Sequence, residues 1–232
     1  MNLNIYTSYH KEEHIIDYSL CSKNSNNKIL FNTADHLSLQ NINDKNQLFG
    51  EFVTMYYAYY NDLKCDYIGF EHYRRRFKNE DIDDIQNLLK NDIVVVGYKV
   101  NNPIRLYFID THENGEIFDT LVQIINNKYG KNNMYSMYLT NDNGIDFYTN
   151  SLFIMNYNKF RQMFEFIWEL IIELDKKIGG NNFDYNKYKI ITKSNPNDYQ
   201  FRIYGFLIER LISCWIYCNY DKKNIIVKYY NL

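Results

Sequence analysis

The stretch Asp66-Tyr67-Ile68-Gly69-Phe70-Glu71-His72-Tyr73-Arg74-Arg75-Arg76-Phe77 runs a short apolar segment straight into a histidine and three arginines. Each guanidinium is a planar, permanently charged fork that matches phosphate oxygens two at a time, and an imidazole adds a donor near neutral pH. The ligand such a cluster suits is an anion, for example a pyrophosphate. A solvated surface run of arginines is the competing reading. Tyr67, Ile68 and Phe70 are strand formers, which places the cations just past the carboxyl end of a buried strand. In an open α/β sheet that edge is where ligands bind.

A second constellation lies near the other end of the chain. Arg202, Gly205 and Glu209 stand at i, i+3 and i+7, one face of a helix. A glycine inside a helix costs about 1 kcal/mol against alanine, so it marks a close approach of backbone or ligand. The same helix is loaded with Phe206, Leu207, Leu211, Ile212 and Trp215. An Arg and a Glu beside that notch read as a polar rim over a pocket. A structural ion pair beside a helix-packing glycine is the alternative.

Other motifs carry less. His10-Lys11-Glu12-Glu13-His14 matches H-x-x-E-H, but zinc chemistry needs a third ligand, and no downstream acidic helix stands out. It reads instead as a loop at the sheet's carboxyl edge, where His10 and Lys11 approach a ligand. Cys214 and Cys218, one helical turn apart, read as buried thiols. Asp81-Ile82-Asp83 has the Asp-x-Asp form used to hold divalent cations, yet it falls at a helix start, where acids are favoured anyway. Asn141-Asp142-Asn143-Gly144 lacks the terminal Glu of a calcium loop and reads as a turn. No residue is assigned as a metal ligand, and dependence on a divalent metal stays open. No Gly-rich phosphate loop, G-x-S-x-G elbow or kinase signature occurs.

The elements that must position these groups alternate. Strands are expected at Leu3 to Thr7, Lys28 to Asn32, Tyr67 to Phe70, Ile93 to Val96 and Ser151 to Met155, with an edge strand at Ile225 to Tyr229. Helices are expected over Leu48 to Tyr60, Ile82 to Leu89, Ile117 to Asn126, Asn158 to Lys177 and Tyr199 to Cys218. Residues 98–116, 132–149 and 181–197 read as loop. The alternation predicts an α/β fold over residues 1–232 as one domain, with the last two long helices packed on it.

Composition narrows the class. The 232 residues carry a formal net charge of -2, which argues against a general nucleic-acid binder. No run of about 18 apolar residues occurs, so no membrane span is expected. The amino-terminal residues lack the pattern of a signal peptide, and four scattered cysteines make no disulfide framework. A cytoplasmic protein is the expectation.

In their order along the chain these features resemble the bacterial capsular and exopolysaccharide biosynthesis proteins catalogued as a domain of unknown function and treated as GT-A-type glycosyltransferases. The resemblance rests on Ile5-Tyr6-Thr7-Ser8-Tyr9-His10-Lys11, the segment Glu51 to Asn61, Asp66 to Arg75, Asn150 to Met155, and Arg202 to Leu211. Departures are Tyr57 and Tyr59 where the family has tryptophans, and an altered loop from Asn32 to Asn46 before Glu51. The resemblance implies a GT-A-like, Rossmann-like mixed sheet flanked by helices. It implies transfer of a hexose-type sugar from a nucleotide-diphosphate donor, a UDP-sugar, to a glycan or lipid-linked glycan, at or near the inner face of the membrane. His72, Arg74 and Arg75 would then stabilise the departing diphosphate. His10 and Lys11 would lie near the nucleotide, with Arg202 and Gly205 in the same pocket. Glu51 and Glu209 would orient or deprotonate the acceptor, with Asp142 and Asp146 as weaker candidates. A non-catalytic nucleotide- or glycan-binding relative, or another phosphate-handling transferase, is the alternative.

Overall fold

The computed structural model describes residues 2–9, 28–33, 39–61, 65–78, 81–193 and 199–228. In chain order the first elements are β1 (Leu3–Tyr9), β2 (Lys28–Asn32), α1 (Asn46–Phe49), α2 (Phe52–Tyr60), β3 (Tyr67–His72), α3 (Ile82–Leu89), β4 (Val94–Val96) and β5 (Lys99–Asn102). There follow α4 (Ile104–His112), α5 (Gly115–Tyr129), α6 (Met134–Leu139), β6 (Ile145–Tyr148), β7 (Phe153–Asn156), α7 (Tyr157–Ile178), α8 (Tyr185–Thr192), α9 (Ile203–Asn219) and β8 (Ile225–Val227).

The main sheet has the order β2-β1-β3-β7-β4-β8. β1 runs parallel to β2 and β3, β4 parallel to β8, and β7 antiparallel to both β3 and β4. His72 pairs with Ser8, while Phe153 pairs with Phe70 on one side and Val96 on the other. The carboxyl ends of β1, β3 and β4 and the amino end of β7 therefore share one edge. The small antiparallel ribbon β5–β6 follows directly from that edge.

Both faces of the sheet are buried, which is why its strands read as continuous apolar runs. Leu3, Ile5, Val95 and Ile154 pack with Ile82, Ile85 and Leu89 of α3 on one face. Tyr6, Phe70, Val94, Val96, Phe153 and Met155 face the larger core built from α2, α5, α7 and α9. Gly69 explains itself here, since a Cβ would lie 2.7 Å from Ile154 Cγ1 and 3.3 Å from Ile5 Cγ1. The helix α7 starts on the Asn156 cap, whose side chain accepts from the Asn158 and Lys159 N–H groups, and stops at left-handed Gly179. Among the described residues no helix is long and apolar enough to cross a membrane.

Several expectations need correction. The helix expected over Leu48 to Tyr60 is broken at Gly50, whose φ of 56° lies in the left-handed region, so α1 and α2 are separate. The three stretches read as loop hold β5 and α4, α6 and β6, and α8. β5 is the polar sequence Lys-Val-Asn-Asn, and a ribbon paired through backbone alone leaves little hydrophobic signal. α4 buries only Ile104, Phe108 and His112, too narrow a stripe to show in a nine-residue window. α6 is announced by its cap, Asn133, which accepts from the Tyr135 and Ser136 N–H groups. Finally, α9 starts at Ile203, after a 3-10 turn over Tyr199–Arg202, so Arg202 stands at the N-cap position and not within the regular helix.

Candidate active site

At the carboxyl edge of β3 the chain turns sharply and holds itself by its own backbone. His72 and Arg75 exchange hydrogen bonds, with Arg75 N donating to His72 O at 2.9 Å and His72 N to Arg75 O at 3.1 Å. Tyr73 N donates to Ser8 O of β1 at 3.1 Å. Beneath the turn, buried Glu71 accepts from Thr7 Oγ1 at 2.6 Å and from Phe77 N at 2.9 Å. This carboxylate ties the start and finish of the arginine turn to the first strand. Arg74 and Arg75 are left exposed, and neither has an ion-pair partner among the described residues. Arg76 is buried.

The His72 ring is oriented by the same turn. Its Nδ1 accepts from Arg74 N at 3.2 Å, so the neutral ring carries its proton on Nε2. That Nε2 lies 3.5 Å from Oε1 of Glu51, the residue that follows the Gly50 break. The Glu51 side chain is 44% exposed and so open to a ligand.

Opposite them stands α9. A Cβ on Gly205 would lie 3.1 Å from the carbonyl oxygen of Phe49, so this glycine lets α9 touch the backbone at the α1–α2 break. Gly205 therefore packs against this backbone, next to Glu51, and also lines the cavity. Glu209 pairs with its neighbour Arg210, not with Arg202. Its Oε2 accepts from Arg210 NH1 at 3.1 Å and its Oε1 from Asn150 N. Burial pushes the Glu209 carboxyl up, opposed by Arg210 and the Asn150 N–H. Burial likewise pulls the Arg210 guanidinium down, with Glu209 opposing. Arg210 lies over the rings of Tyr107, Phe108 and Phe147 at 5.1–5.7 Å.

These pieces line one cavity of about 880 Å³. It brings together Glu51, His72, Arg74, Arg75, Arg202, Gly205 and Glu209 from three separate stretches of the chain. His10 and Lys11 lie outside the described residues. Asp142 and Asp146 do not line the cavity; Asp146 sits 3.3 Å from Lys99 Nζ on the ribbon. Asp81 and Asp83 are also elsewhere, at the start of α3. Among the described residues no group of three or more His, Cys, Asp or Glu side chains could hold a metal ion.

The sequence reading missed Tyr98, Tyr107, His112, Asn150, Tyr199 and Arg210 as cavity residues. Arg210 had a signal, since a second charge directly after Glu209 in an apolar helix must be buried with a partner. His112 is held neutral, its pKa lowered to about 4 by burial and by the Arg210 cation, with the Gln200 hydrogen bond opposing. A depressed histidine favours the native state above its ordinary pKa of 6.5, and that contribution is lost as pH falls through about 4. Thermal melts should therefore show stability falling over that interval, with a shallower fall in His112→Asn. An unchanged slope in the variant would place the acid sensitivity elsewhere.

Comparisons with known proteins agree with this architecture. The family model described as "Domain of unknown function (DUF4422)" matches residues 4–220. A solved structure described as the apo form of the bifunctional glycosyltransferase WbbM has the same fold, with a TM-score of 0.71 at 18% sequence identity. The match covers 100% of this chain and 45% of that one, so this chain spans less than half of the neighbour's length. No curated protein sequence matches the chain.

Proposed function

The chain belongs to the DUF4422 family, and from the cavity it carries we propose that it is a glycosyltransferase, moving a sugar from a nucleotide-diphosphate donor to a hydroxyl of a surface glycan. The observation that carries this reading is the charge of the cavity. Four arginines line it against two glutamates, in a chain whose formal net charge is -2. One glutamate, Glu209, is already matched to one arginine, Arg210. Arg74, Arg75 and Arg202 remain as a positive field suited to a doubly ionised diphosphate.

Breaking the bond between the sugar and the diphosphate places new negative charge on the departing oxygen. In this proposal Arg74 and Arg75, presented by a rigid turn, stabilise that charge without reorganising. Glu51 accepts the proton of the incoming hydroxyl, and the His72 N–H holds its carboxylate in position. Glu209 has both oxygens engaged, which favours Glu51 as the base. Family membership and the fold of WbbM support a transferase of this class; a UDP-sugar is the donor to test first.

The direct experiment is a panel of sugar nucleotides read by thermal shift and by slow donor hydrolysis. At least one donor should raise the melting temperature, because a ligand that binds only the native state stabilises it by mass action. No shift and no calorimetric heat with any sugar nucleotide at millimolar concentration would sink the proposal.

A further inference from the structure

His112 is a buried cavity residue that the transfer step above does not use. It closes α4, is 4% exposed, and still lines the cavity. Its ring lies flat on Phe206, with centroids 3.8 Å and planes 11° apart. Tyr199 flanks the pair, 4.8 Å from the Phe206 ring and 6.2 Å from His112, and is itself 66% exposed at the mouth.

The hydrogen bonds around the ring assign its tautomer. Gln200 Nε2 donates to Thr111 O at 2.8 Å, which turns the amide oxygen toward His112. His112 Nδ1 lies 3.1 Å from that oxygen, so Nδ1 carries the proton. Burial, with the adjacent Arg210 cation, discourages a second proton, so Nε2 keeps its lone pair. Nε2 has no hydrogen-bond partner among the described residues, and it is not one of the unpartnered side-chain atoms sealed from solvent. A bare acceptor that is not sealed from solvent thus belongs to an aromatic wall that lines the cavity.

Sugars offer what this wall lacks: hydroxyl donors on their rims and apolar C–H faces that lie against aromatic rings. We propose that Nε2 of His112 accepts a hydrogen bond from a sugar hydroxyl, and that the exposed ring of Tyr199 packs against the C–H face of the same sugar. The inference rests on the glycosyltransferase reading of the cavity and adds to it the residues that read the sugar. The hydroxyl could belong to the sugar of the donor or of the acceptor.

The test uses wild type and His112→Asn, measured with UDP, with the UDP-sugar that the panel selects, and in transfer to a set of octyl glycosides. An asparagine amide nitrogen reaches the Nδ1 position and keeps the Gln200 bond, but it leaves nothing at Nε2. The variant should bind UDP as wild type does and lose about tenfold in sugar recognition, the worth of one hydrogen bond. A weaker Kd for the UDP-sugar assigns the hydroxyl to the donor. An unchanged Kd with a raised KM for the glycoside assigns it to the acceptor. Wild-type behaviour in both arms overturns the proposal, as does an equal loss with UDP alone, which would make His112 a reader of the nucleotide. If His112→Asn melts early, His112→Gln and His112→Met decide the matter, because only the glutamine returns an acceptor to the Nε2 position. Equal sugar binding by those two also overturns it. A wild type that binds no sugar nucleotide removes the transferase reading, and this inference falls with it.

Discussion

Replacing Arg74 by alanine should lower sugar transfer by about 10²-fold or more while leaving the melting temperature near that of wild type. The side chain is exposed, and its recorded neighbour is the Tyr73 ring, 5.2 Å from the guanidinium carbon. Nothing in the core depends on it. The turn that presents it is held by backbone bonds and by buried Glu71, all of which survive the substitution. Any loss of rate then reports the charge delivered to the departing diphosphate. Arg74→Lys should recover only part of the activity, since an ammonium is a point charge that cannot copy a bidentate fork. Steady-state kinetics against the donor, beside a thermal melt, decide the matter. Near-wild-type turnover in Arg74→Ala would make the cluster structural and remove the site assignment.

The second large effect separates the two glutamates. Glu51→Gln should reduce kcat by about 10²–10⁴-fold, the range of general-base catalysis, with donor affinity retained. Glu209→Gln should act differently. It takes the negative partner from a guanidinium that is 2% exposed, and breaking a buried pair costs about 3 kcal/mol or more. The expected signature is a lower melting temperature with kcat largely kept in the folded fraction. Reversed results, a stable Glu209→Gln with collapsed kcat and an active Glu51→Gln, would exchange the two roles. His72→Ala should follow Glu51→Gln more weakly, because it removes the group that orients the base and not the base itself.

Much of the architecture is written locally in the chain. The apolar runs Ile93-Val94-Val95-Val96 and Leu152-Phe153-Ile154-Met155 are satisfied by burial on both faces, so β4 and β7 are legible without any tertiary information, and β1 and β3 show in Ile5-Tyr6 and in Tyr67, Ile68 and Phe70. The same holds for α7, whose cap, apolar stripe and terminal glycine agree with one another. The cation-bearing turn was legible too, because strand end and cations adjoin in sequence. Gly205 was legible as a close approach, but not what approached it: it faces the Phe49 backbone, which is more than 150 residues away along the chain.

What the sequence determined by itself, then, is the alternation of strands and helices, the buried sheet and the cation cluster at its edge. Those follow from interactions between residues close in the chain, where side-chain period and backbone geometry suffice. The tertiary structure alone decided which charges pair. From the sequence Glu209 could meet Arg202 or Arg210, and the fold pairs it with Arg210. It alone also decided that the break at Gly50 sets Glu51 before His72, and that a ring at the end of α4 reaches the same cavity. Such meetings are set by the packing of elements distant in sequence, and an ion pair or a cavity wall leaves no periodic trace in the segments that supply it.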